Sequence, residues 1–339
     1  MTTRILSYCS ISLALITAAG AQTPDGQGGP PPNRNHTENT ARPLDLVPAD
    51  QQPPTDNKVT ITIEGDKRII HSNAIPEHLI GKFPNAENPN TIAEQSNEIK
   101  LPLNPKANKE SVPARPVAGI FLNGVFIESG TGEFWSGEGS KPWNYEALGN
   151  AVGFGLDENY AHVQPGGKYH YHGKPTAFLK QMDVTEDKHS PLVGWAFDGF
   201  PIYALYGYAD PEDPASEIVE MTSSYRLREG TRPSPPEGPG GTYDGAFSDD
   251  YEYVEGSGTL DECNGRFTKT PDFPDGTYAY FLSNEYPVIL RNFRGTSAMG
   301  GPGGAGPGGP GGPPGSQQGR PPGQPPHQHG DEEGHTHEH

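Results

Sequence analysis

Between residues 57 and 295 apolar positions recur at every second residue more often than on a helical stripe, the spacing that lays one face of a strand on a core. In KVTITIEGDKRIIHS, Val59, Ile61 and Ile63 share a face, Gly65-Asp66 supplies a turn, and Arg68-Ile69-Ile70 leads back as a hairpin. VAGIFLNGVFIES carries a second pair of strands around Asn123-Gly124. The runs WAFDGFPIYALYGY, YEYVEG and GTYAYFLSNEYPVIL are aromatic and β-prone. Asp-Gly at 198, 244 and 275 and Asn-Gly at 264 mark further turns. Helical spacing is confined to short stretches such as NYEALGNAV and PTAFLKQM. The pattern predicts a mainly β domain, or an α+β one with a minor helical part, built from antiparallel hairpins with few short helices.

The two ends break the alternation. Residues 1–21 join Arg4, an apolar run over about 11–18 and the small-x-small site Ala19-Gly20-Ala21, which reads as a signal peptide cut after Ala21. Residues 22–56 are rich in Gly, Pro, Asn, Gln and Asp and read as a disordered linker. Residues 296–326 are Gly/Pro-rich and of low complexity, without the sustained Gly-X-Y period of collagen. Residues 327–339 form a tail of histidines and acids. One large domain, 57–295, remains between these tails, and the leader places it in the periplasm or the medium.

Charge narrows the partners. The 339-residue chain has 43 acidic and 24 basic residues, a formal net charge of -19, and no basic cluster. That argues against nucleic acid and anionic membrane surfaces. After the leader no segment is long and apolar enough for membrane insertion. Cys9 leaves with the leader, so the mature chain keeps Cys263 without an internal disulfide partner. Stability then rests on burial, hydrogen bonds or bound metal.

The candidate chemistry lies in GGKYHYHGKP. On a strand, alternate side chains share a face, so His170 and His172 lie on one side, about 6.5–7 Å apart at their α-carbons, and Tyr169 and Tyr171 on the other. His162 stands eight residues before His170, with Pro165-Gly166-Gly167 as a turn between them. A hairpin there brings three imidazoles toward one ion, zinc or copper, with a position left open. Stacked His and Tyr on an exposed sheet is the competing reading. His78 is a further metal candidate; Asp198 and Asp157 are candidate fourth ligands or orienting groups, with Asp198 as a candidate catalytic base. His189, after TEDK, is expected in solvent, and His71 fits either setting.

SNAIPEH, FPNAENPNTI, LNGVFIESGTGEFW, GLDENYAHVQPGGKYHYHGKPT, GWAFDGFPIYALYGY and LDECNGRFTKTPDFPDGTYAY resemble, in order, the YHYH-domain family of mostly secreted bacterial proteins. The resemblance covers about residues 72–295 and reaches His78, His162, Tyr169, His170, Tyr171, His172, Asp198, Gly199 and Tyr203, without supplying roles or a reaction. It also implies a second cysteine where this chain has Asn292, which would leave Cys263 without its partner.

Five of the twelve histidines, His327, His329, His335, His337 and His339, alternate with polar and acidic residues near Asp331, Glu332 and Glu333. Imidazole with carboxylate suits zinc, copper or nickel, and on a Gly/Pro tether the tail reads as a metal scavenger. Three functions follow: an exported transition-metal-binding protein, a metal-dependent extracytoplasmic hydrolase, or a non-catalytic cell-envelope interaction domain. No nucleophile elbow, phosphate loop or close catalytic Cys/His pair names a substrate.

Overall fold

The structure, a computed structural model, describes residues 38–136 and 142–298. The leader at 1–21, linker residues 22–37 and 299–326, and the five tail histidines lie outside the described residues.

Hairpins form where turn residues part alternating runs. Strands β1 (Val59–Glu64) and β2 (Lys67–Ser72) pair across Gly65-Asp66, and β3 (Asn97–Pro102) adds to β2, giving a three-stranded antiparallel sheet. Next come β4 (Ala107–Pro113), β5 (Val117–Phe121) and β6 (Phe126–Glu128), the last two an antiparallel pair about Asn123-Gly124. Strands β7 (Ala161–Val163) and β8 (Tyr169–Tyr171) follow, then the single α-helix among the described residues, α1 (Thr176–Gln181). Strands β9 (Leu192–Ala196) and β10 (Pro201–Tyr203) turn at Asp198-Gly199. Two ribbons come next: β11 (Tyr206–Tyr208) with β12 (Ile218–Glu220), and β13 (Tyr225–Leu227) with β14 (Tyr251–Tyr253). Strands β15 (Gly265–Thr268), β16 (Thr277–Phe281) and β17 (Asn292–Gly295) close the chain, β17 pairing with β4. The mainly β expectation holds.

The central sheet has eight strands in the order β15-β16-β10-β9-β5-β6-β8-β7. Two neighbour pairs, β6–β8 and β10–β16, are parallel. Both join strands far apart in sequence, where no turn chemistry announces the pairing. The expected helical stretch NYEALGNAV yields one 3₁₀ turn, Ala147–Gly149. The main core gathers Ile70 and Ile99 of the three-stranded sheet with Phe121, Phe126, Tyr171 and Tyr280 of the eight-stranded one.

Residues 38–56, expected as linker, instead pack on the domain. Arg42 N donates to Gly149 O at 2.9 Å, Val47 N to Leu156 O at 2.9 Å, and Gln51 exchanges two backbone bonds with Ile80. Ala41, Leu44 and Leu46 cover a second cluster of Trp143, Tyr145, Phe154 and Phe247. Three apolar residues scattered among prolines carry no period, yet suffice once a groove accepts them. Arg232 fastens this strap: it donates to Asn39 O at 2.7 Å and, through Nε, to Asp250 Oδ1 at 2.7 Å, deep in the protein.

Candidate metal centre

The hairpin β7–β8 turns through Gln164-Pro165-Gly166-Gly167-Lys168. Gly166 and Gly167 hold φ +90° and +85°, a region that favours glycine. In register His162 stands opposite His170 and Val163 opposite Tyr169. Both imidazoles therefore face the same side, and His172, just past β8, joins them; its N–H donates to Tyr160 O at 2.8 Å. The three Nε2 atoms form a nearly equilateral triangle with sides of 3.1 Å. All three residues are buried, His170 with 1 % exposure. They alone among the described residues form a cluster of three or more groups able to hold a metal ion.

The tautomers of His162 and His170 follow from the opposite ring atoms. His162 Nδ1 lies 3.0 Å from Phe154 O and His170 Nδ1 lies 3.2 Å from Lys168 O. Carbonyls only accept, so those ring nitrogens carry the protons. Asn88 Nδ2 also lies 3.2 Å from His162 Nδ1, but its amide hydrogens have the carbonyls of Val163 at 2.9 Å and Phe154 at 3.3 Å. The Nε2 lone pairs of His162 and His170 then point into the triangle, beside His172 Nε2. Burial, together with the neighbouring imidazoles, holds His170 and His172 well below the ordinary imidazole pKa. Three ring nitrogens converging at 3.1 Å would suit a transition-metal ion, which takes imidazole nitrogen at about 2.0–2.1 Å.

A cleft of about 240 Å³ opens onto the triad, lined in part by Glu87, Asn90, Glu128, Thr131, Glu133 and Phe154. Glu128 is the residue the sequence reading missed. It ends β6, which runs parallel to β8, and its Oε2 lies 3.6 Å from His170 Nε2. Its Oε1 lies 2.8 Å from Lys168 Nζ, whose ammonium rests 4.7 Å from the centre of the Phe126 ring. A lone acid in the buried strand Phe-Ile-Glu was its only signal in the sequence.

The other candidates lie elsewhere. His78 faces the tyrosine side of β8: its Nε2 is 2.6 Å from the Tyr171 hydroxyl and its Nδ1 2.7 Å from Leu79 O. It is a strut for Tyr171, which also takes a bond from Asn123 at 2.9 Å, and not a fourth ligand. Asp198 is no base for this centre either. It accepts from the Tyr280 hydroxyl and from Gly295 N at 2.8 Å, fixing the β9–β10 turn against β17. Asp157 accepts from Tyr169 at 2.8 Å and Gly81 N at 2.9 Å; burial pushes its carboxyl up to about 6. His189 is buried, its ring among Tyr203, Tyr208 and Phe281 rather than in solvent. His71 is exposed beside Glu98. Cys263 is buried and unpaired, its thiol pushed up to about 12 by burial. Asn292 donates at 3.1 Å to the carbonyl of Glu262, so the position the resemblance assigns to a second cysteine neighbours Cys263 in space.

A family model described as YHYH protein matches residues 98–295. No curated protein and no solved structure matches the chain.

Proposed function

The chain belongs to the YHYH protein family, and from that premise and the geometry of its imidazoles we propose that it is an exported protein that binds one transition-metal ion, zinc or copper, through His162, His170 and His172. One observation carries the reading: three Nε2 atoms 3.1 Å apart, with the far nitrogens of His162 and His170 held by the carbonyls of Phe154 and Lys168. Bonds of that kind orient metal-bound histidines and fix their tautomer. Neutral imidazoles of this number suit borderline ions rather than calcium or magnesium. Export rests on the leader pattern of residues 1–21. His327, His329, His335, His337 and His339 would collect the same ions.

The test uses the full-length chain with those five tail histidines replaced by alanine, beside the same chain carrying His170→Ala and His172→Ala. After exposure to zinc or copper and dialysis, the first retains about one ion per chain and the second none. Equal, near-zero metal in both refutes the reading.

A second reading, a metal-dependent extracytoplasmic hydrolase, is favoured by the cleft and by Glu128 beside the triad. A metal would lower the pKa of a bound water to make the nucleophile, and a carboxylate at hydrogen-bond reach could take its proton. The role first given to Asp198 then passes to Glu128.

A further inference from the structure

The three imidazoles leave one side of the proposed ion facing the cleft, and Glu128 stands beside that side. Its carboxylate is nearly buried, with 10 % of its side chain exposed. Oε1 is engaged by Lys168, while Oε2 is turned to the triad. Glu128 does not join the compact group of three donors, so it stands one step outside the set of ligands. A buried anion at this distance does two things to whatever takes the open position. It accepts a hydrogen bond from a ligand bearing O–H or N–H, and it repels a ligand bearing negative charge, more strongly than it would in water.

Resting on the metal reading, we propose that Glu128 sets the class of exogenous ligand at this centre: protic and uncharged molecules, such as water, an alcohol or an amine, and not anions. Lys168 tempers the selection by neutralising part of the carboxylate charge. The two side chains therefore act in opposite directions on the same quantity.

The experiment loads cobalt(II) into the full-length chain with alanine at the five tail positions and follows its visible spectrum while azide or imidazole is added. Azide probes anions and imidazole a neutral N–H ligand. Glu128→Gln is expected to tighten azide binding about tenfold or more, as removal of a charge a few ångströms away implies. Imidazole binding is expected to change less than about threefold, since the amide keeps an acceptor oxygen. Lys168→Met, which removes the ammonium but keeps an unbranched apolar side chain, is expected to weaken azide relative to the parent chain. A part played by Glu128 in folding alone would not give opposite shifts in the two variants. Cobalt uptake with equal azide affinity in all three chains overturns the inference and leaves the metal reading standing. Failure of the parent chain to take up cobalt, zinc or copper overturns both.

Discussion

At the residue scale the centre depends on imidazoles kept neutral by burial. His78, His170, His172 and His189 are all held below the ordinary imidazole pKa, chiefly by desolvation. The unfolded chain takes up protons below about pH 6.5 while the folded chain resists them, so stability falls as pH drops below that value. Asp157 acts in the other sense: its raised folded value, about 6, lends stability that is lost as pH rises through 6. Burial raises Glu77, Asp198 and Asp261 too, from ordinary values of about 4, so across about pH 5.5–7.5 the four histidines, which titrate near 6.5 in the unfolded chain, dominate. The metal-free protein should therefore unfold at lower denaturant at pH 5.5 than at pH 7.5. Changing His170 and His172 to Gln should shrink the difference, with His78 and His189 supplying what is left. An unchanged difference in the double variant, measured by denaturant midpoints, would show that the pair is not buried neutral. The spacing of His162, His170 and His172 was legible in the sequence because a strand has period two. Glu128 was not, because it reaches the triad across a parallel pairing.

At the scale of elements, the β7–β8 hairpin presents the site, and its turn is where a small change should be felt most. Gly166 and Gly167 have nearly the same φ, but their surroundings differ. A Cβ on Gly166 would meet nothing within 4 Å, whereas one on Gly167 would lie 2.6 Å from Ala93 Cβ and 2.8 Å from Ala93 N. Gly166→Ala should cost about 1 kcal/mol from backbone strain alone. Gly167→Ala should cost about 2–4 kcal/mol, since strain and a backbone clash add. It should also loosen the triad, seen as weaker metal retention. Equal midpoints for the two variants would mean that the Ala93 segment yields freely. The hairpins at Gly65-Asp66, Asn123-Gly124 and Asp198-Gly199 were legible because each turn is local. The pairing of β6 with β8 was not, because it depends on the path of some forty intervening residues.

At the scale of the whole molecule, Arg232 and Asp250 join the strap at Asn39 to the loop around 240–250. Asp250 is fully buried and also accepts from Gly245 N at 2.9 Å and Phe247 N at 3.2 Å. Arg232→Met leaves that charge without its counter-ion and should cost about 3–5 kcal/mol in chemical denaturation. Adding Asp250→Asn should recover part of the loss. A loss of less than about 1 kcal/mol would show that the strap holds without this ion pair. Among the described residues no helix is long and apolar enough to cross a membrane. Periodicity, turn dipeptides and the His-x-His spacing were enough to establish a mainly β domain, its local hairpins and the three imidazoles that share a face, since each rests on neighbours within a few residues. Packing alone determined that residues 38–56 belong to the domain, that His78 and Asp198 serve as struts, that His189 is buried and that Glu128 stands at the triad. Those facts depend on contacts between segments distant along the chain, whose energies no local pattern encodes.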